Sequence, residues 1–223
     1  MWRQPSNFPV VPTSPSFSVI HPLRVHFPLA LLPTAIAADA VGAMTDNRAL
    51  MDMGKTFMPL AVASMAATGV AGFAAQEEVR AEGEAHDMLV THRNLNVGLL
   101  LMSAGPAVLR SGQERPGRGY LLAGLAGAAL MTYTGYLGGK MIYRHGVGAV
   151  EGHDPDHSVR IERGHLGEAA RIAATDVARG VAHAAQQVAH GELAPHLRRG
   201  RAPPRLYPRS PKPGDERQAL LSA

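Results

Sequence analysis

The sequence predicts an all-α membrane protein: a four-helix transmembrane bundle followed by a basic tail that is partly helical and partly disordered. Three observations carry that prediction. Four apolar blocks rich in Ala, Gly, Leu and Met fill residues 27–143, and the connections between them are short and polar. Eleven of the 22 Lys and Arg residues fall in residues 151–223, where no long apolar run occurs. A mean hydropathy of −0.04 averages over these two unlike halves and hides the membrane module. The organisation that follows is a Pro- and Ser-rich segment at 1–20, a transmembrane domain at 21–150 and a tail at 151–223.

Residues 1–20 have no early apolar core of the kind a secretory leader carries, so the first spanning helix is expected to drive insertion. That helix runs from about Val25 to Met44, the second from Phe57 to Ala75, and the fourth from about Tyr120 to Tyr143. Each is near the roughly 20 residues that cross about 30 Å of hydrocarbon. The third block is the informative one. Its purely apolar part, Leu95 to Leu109, is too short to span, and counting back about 20 residues from Leu109 reaches Val90. That count draws "THRN" (Thr91 to Asn94) into the helix. The same count back from Met44 leaves His26 just inside the first span and His21 just outside it.

Small residues at Ala123, Gly127, Met131, Gly135 and Gly139, and at Thr68 and Gly72, are read as close helix packing. Asp39, about 18 residues from His21 at a rise of about 1.5 Å each, is expected near the far surface, capping a helix or facing water. The short basic loop "RSGQERPGR" (Arg110 to Arg118) is expected in the cytoplasm by the positive-inside rule, with the opposite end outside.

Four crossings put both termini on one side, so His21, His26, His86, His92 and His145 all fall at one end of the bundle. With no cysteine, the chain offers no disulfide, thiolate zinc site, c-type haem attachment or cysteine-ligated cluster. Imidazoles inside a membrane cost free energy unless they find a partner. Three chemistries answer that need. Two facing imidazoles can bind b-type haem in a core of small residues. Three or four can hold a divalent metal. Or the rings cap helices and hydrogen-bond across them with no cofactor, His21 before Pro22 and His145 before the helix stop Gly146 being suited to caps. If a cofactor binds, span counting makes His26 and His92 the iron or metal ligands, and His21 and His145, at the rim, further ligands or partners of the ligands. No G-x-S-x-G, H-E-x-x-H or Walker loop occurs, so an enzyme is not expected, and at most an electron-transfer subunit.

In the tail, residues 165–191 have the Ala content of a helix, with Leu166, Ile172, Val177, Val181 and Val188 as a thin apolar stripe. "APPRLYPRSPKPGDER" beyond it reads as disordered. A basic amphipathic helix next to a span suits anionic lipid, and no nucleic acid partner is expected.

"HPLRVHFP" opening the first helix, "THRNLN" opening the third and "GGKMIYRHGVGAV" closing the fourth resemble the domain of unknown function 2231 family of predicted bacterial membrane proteins, over about residues 19–150. The resemblance implies a four-helix membrane domain, joined in some relatives to Rieske or cytochrome modules, and hence a redox partner protein. It matches His21, His26, His92, Asn96, His145 and Gly146 to motif positions. It departs at Ala74 and Ala75, where an acidic residue is expected, and no redox module is expected in residues 151–223. The reading adopted is a multi-pass protein of the cell membrane with a one-sided histidine cluster, a redox-associated module for haem b. The alternatives are a structural or proton-responsive membrane protein without cofactor, and a divalent metal-binding one.

Overall fold

The computed structural model of the chain describes residues 17–79, 81–147 and 166–199. They form seven helices: α1 (Phe17–Arg24), α2 (His26–Thr45), α3 (Arg48–Glu77), α4 (Gly83–Ser111), α5 (Arg118–His145), α6 (Leu166–Ala189) and α7 (Pro195–Arg199). The expected Pro- and Ser-rich segment lies almost wholly, and the expected disordered stretch wholly, outside the described residues. Three stretches are long and apolar enough to cross a membrane: Ile20–Thr45, Arg48–Glu77 and Arg118–His145. α4 has 29 residues, but its first part carries Glu84, His86, Asp87, His92 and Arg93.

Pro28 explains why the first apolar stretch bends at Val25. Proline has no N–H for the carbonyl four residues back, and its ring crowds that carbonyl. The carbonyl is that of Arg24, and it is taken instead by the Thr68 hydroxyl of α3 at 3.3 Å. The Val25 N–H still reaches the His21 carbonyl at 3.2 Å, so α1 and α2 form a bent continuation rather than two separate helices. His21 sits inside α1, not at a cap.

α2 packs on α3 and α5, and α4 packs on the same two, which closes a ring of the four long helices; α1 and α6 lie against α3, and α7 against α4. Leu32, Ile36, Met58, Met65, Leu99 and Met131 fill the centre. Close approach on α5 comes at Gly124 and Gly127. A Cβ at Gly124 would collide with Ile36, and one at Gly127 would lie 3.3 Å from Leu99. Gly135 and Gly139 have nothing within 4 Å, which corrects the predicted packing row. The inward residues of α5 mix steps of three and four, Tyr120, Gly124, Gly127, Met131, Thr134, Leu137, Met141. A strict row of fours drifts about 40° per step at 3.6 residues per turn and leaves the interface.

The far end holds a buried ion pair. Asp39 and Arg110 expose 0% and 1% of their side chains, with Nη2 to Oδ1 at 2.6 Å and Nε to Oδ2 at 3.0 Å. Tyr120 donates to the same carboxylate at 2.8 Å, and Arg110 donates also to the carbonyls of Met51 at 2.7 Å and Gln113 at 2.6 Å. A side chain at Gly54 would fall inside the Asp39 carboxylate. This corrects two expectations: Asp39 neither caps nor faces water, and Arg110 is not a loop charge. α4 runs on to Ser111, so Arg110 is carried on its last turn, turned inward. Arg115 pairs with Asp46 at 2.7 Å, so two of the three arginines between 110 and 118 are neutralised locally.

Candidate functional site at the histidine end

α1, the end of α3, the start of α4 and the end of α5 meet at the other end, where the five histidines lie. Two of them reach main-chain carbonyls of neighbouring helices. His21 Nδ1 lies 3.1 Å from the Thr68 carbonyl of α3, and His92 Nδ1 lies 2.9 Å from the Thr134 carbonyl of α5. A carbonyl only accepts, so each ring carries its proton on Nδ1 and presents an unprotonated Nε2 when neutral. A mid-helix carbonyl already accepts from the N–H four residues on. It can take a second donor only where that later residue leaves room, and both times the residue is glycine. A Cβ at Gly72 would sit 3.0 Å from His21 Cε1, and one at Gly138 would sit 3.4 Å from His92 Cε1.

The equivalence extends further along the chain. From His21 to Asp39 is 18 residues, and from His92 to Arg110 is 18. From Gly54 to Thr68 is 14, and from Tyr120 to Thr134 is 14; Thr68 to Gly72 and Thr134 to Gly138 are both 4. The residues of the two polar ends therefore recur in the same register in two halves, α1–α3 and α4–α5. Both histidines belong to one layer of the molecule and both members of the ion pair to the other, about 21 Å apart along α3 or α5 at 1.5 Å per residue.

The other expected site residues stand elsewhere. His26 is exposed, with Nδ1 turned back to the Pro22 carbonyl at 3.0 Å and the Leu23 carbonyl at 3.3 Å of its own chain segment. Five residues of helix turn it about 140° from His21. The rings bonded across to a neighbouring helix's carbonyls are thus His21 and His92, not His26 and His92. His145 lies roughly 10 Å beyond Gly138 along α5. Its Nε2 is buried without a hydrogen-bond partner among the described residues, 4.0 Å from Glu84. Lys140 binds the same Glu84 at 3.2 Å. Burial pushes the Glu84 carboxyl up, but that hydrogen bond and the nearby positive charge outweigh it and hold it below its usual range. Asn96 braces His92: its amide donates to the His92 carbonyl at 2.7 Å, and its oxygen lies 3.2 Å from the Thr134 hydroxyl. Gly146 ends α5 at φ +67°, a left-handed position that suits glycine.

The remaining residues of "THRN" hold the tail. Arg93 donates to Gln187 of α6 at 2.7 Å and to Gln76 at 3.3 Å. Asn94 donates to the carbonyls of Glu192 at 3.1 Å and Leu193 at 2.9 Å, and Thr91 accepts the His196 N–H at 3.1 Å. Burial, and after it the charge of Lys140, lowers the pKa of the His196 imidazole.

As a donor set the layer is two imidazoles. No group of three or more His, Cys, Asp or Glu side chains placed to hold a metal ion occurs among the described residues, so the arrangement does not fit a divalent site built from protein ligands alone. Two rings with Nδ1–H fixed on carbonyls would each have Nε2 to offer to a haem iron, the other ring nitrogen being held by such a bond. Span counting does not reveal the Thr134–Gly138 pair, the bond of His21 to Thr68 or the buried ion pair; the equal 18-residue spacings are the available signal.

No curated protein and no solved structure matches the chain. A family model described as predicted membrane protein (DUF2231) matches residues 18–151, which covers α1 to α5 with both rings, their Thr and Gly partners and the ion pair, and stops before α6. With well over half of the chain matched, this is an integral membrane protein that belongs to the DUF2231 family.

Proposed function

We propose that this protein is a redox-associated membrane module that binds haem b between His21 and His92 and exchanges electrons with a redox partner protein. The observation that supports this is the matched pair of imidazoles, each with Nδ1–H spent on a threonine carbonyl and Nε2 left as a donor. The group, when bound, would supply a one-electron ferric–ferrous couple. This chain's residues orient the rings, fix their tautomers, and surround them with Ala, Gly, Leu and Met. In the same reading α4 is the fourth crossing, its apolar Leu95–Leu109 flanked by α3 and α5, and the basic tail lies against anionic lipid beside the bundle.

The absorption spectrum of the detergent-extracted protein tests this. A Soret band that shifts on dithionite reduction is expected, lost in His21→Ala and in His92→Ala and kept in His26→Ala. A colourless wild type, or full haem occupancy in both variants, would overturn it. A second reading is favoured by the same bonds crossing from helix to helix: the rings clip α1 to α3 and α4 to α5 with no cofactor, in a structural or proton-responsive membrane protein. Its mark is a colourless wild type that loses thermal stability when either ring is removed.

A further inference from the structure

α6 has three faces, and the one packed most closely on the protein is not its apolar one. At about 100° per residue, Ala169, Ala173, Asp176, Gly180 and Gln187 share one stripe, which is the buried or half-buried one. Gly180 makes the closest approach, where a Cβ would be 2.7 Å from the Phe73 carbonyl of α3 and 2.6 Å from the Gln76 amide. His183 meets Glu77 at 3.2 Å, and Gln187 then reaches Arg93 of α4, so this part of α6 passes from the end of α3 across to α4.

About a quarter turn from that stripe is an apolar one of Ala170, Ala174, Val177, Val181, Ala184 and Val188. Val181 and Val188 are 48% and 43% exposed. Arg171, Thr175, Arg179 and Gln186 lie on the side away from the valines and are all exposed. Ile172 falls outside the valine stripe, between the docking and polar faces.

We propose that α6 lies along the membrane–water boundary, its docking edge on the bundle, Val177, Val181 and Val188 dipped into lipid, and its polar side in water. A helix merely packed on a soluble core would put its largest apolar residues into the docking face, but here that face is small and polar while the valines stand beside it. Helices that lie in the boundary plane carry this division into an apolar and a basic, polar side. The surface next to it is apolar too: Val70, one turn before Phe73 on α3, is 56% exposed. The inference rests on the reading that α3 and its neighbours span the bilayer.

The test uses the full chain in vesicles of phosphatidylcholine and phosphatidylglycerol, with the single native tryptophan, Trp2, replaced by Phe. Val181→Trp and Val188→Trp should emit blue-shifted fluorescence that brominated lipid quenches and aqueous iodide does not. Gln186→Trp should show the reverse. Leu101→Trp, on the exposed apolar face of α4, reports the bundle itself. Iodide quenching at Val181→Trp equal to that at Gln186→Trp would overturn the proposal, as would protection from both quenchers, which would mean protein rather than lipid on that face. If bromolipid fails to quench Leu101→Trp as well, the spanning reading falls with it.

Discussion

The two ends of the bundle solve the same problem in opposite ways. At the Asp39–Arg110 end, a carboxylate and a guanidinium are sealed from solvent, and the carboxylate accepts three bonds while the guanidinium donates to the carboxylate and two carbonyls. At the histidine end, each ring spends one nitrogen on a neighbouring helix and keeps the other. A full ion in a low-dielectric core has to be satisfied completely, whereas a neutral imidazole needs only one bond to be tolerable. The closed end therefore holds the fold, and the other has chemistry left to offer. That the two ends occupy equivalent registers in both halves makes the contrast one of residue choice, not of backbone.

The largest expected effect is at the closed end. Arg110→Ala leaves a buried carboxylate without its cation and should cost about 3–5 kcal/mol, read as lost resistance to denaturant in detergent. Because Asp39 and Arg110 are equivalent positions, exchanging them in one chain (Asp39→Arg with Arg110→Asp) should recover part of that loss. A double variant no better than the single one would argue against the equivalence.

At the histidine end the glycines sharpen the comparison. Gly72→Ala brings a methyl within 3.0 Å of His21 and should cost about 1–3 kcal/mol by crowding. Gly138→Ala, at 3.4 Å from His92, should be close to neutral, since alanine also gains about 1 kcal/mol of helix propensity over glycine. Thr68→Val keeps the carbonyl that His21 uses but removes the hydroxyl that satisfies Arg24, and should cost about 1 kcal/mol. Thermal unfolding of the three variants ranks them.

The tail contact should respond to pH. The His196 pKa is lowered, so docking of α7 favours the neutral ring. Its contribution is full above the ordinary imidazole value of 6.5 and is lost as pH falls below it. Amide protection factors at residues 192–198 should fall on acidification through that range, and Asn94→Ala should lower them at every pH. The smallest effect belongs to the exposed pair of Arg115 and Asp46, where Asp46→Ala should change stability by less than about 1 kcal/mol.

Much of this was legible in the sequence, and the omissions share a cause. Block lengths gave the long helices, and counting residues along them gave depth, which put the histidines at one end. Depth says nothing of direction around the helix axis. His21 and His26 are five residues apart yet point about 140° apart, so a count of depth does not tell which of them turns to a neighbouring helix. Charge alone marks Arg110 as a loop residue, whereas a helix extended by one turn delivers it to Asp39. The G-x-x-x-G at Gly135 and Gly139 was a genuine pattern on the wrong face. The helical stretch of the tail could be read from its alanines, but its docking on "THRN" could not, since apart from Arg93 to Gln187 the bonds run to main-chain carbonyls and a main-chain N–H that carry no sequence signature.

The proposed function requires His21 and His92 to face each other, and the absence of cysteine from the chain makes that directly measurable. In the otherwise cysteine-free protein, His21→Cys with His92→Cys should be bridged within one chain by mercuric ion or a short bifunctional thiol reagent, detected by a mobility shift after cleavage in the loop before α4. His26→Cys with His92→Cys, one ring outward and one inward, should not. Efficient bridging of the 26–92 pair with none at 21–92 would contradict the pairing, and with it the ligand assignment.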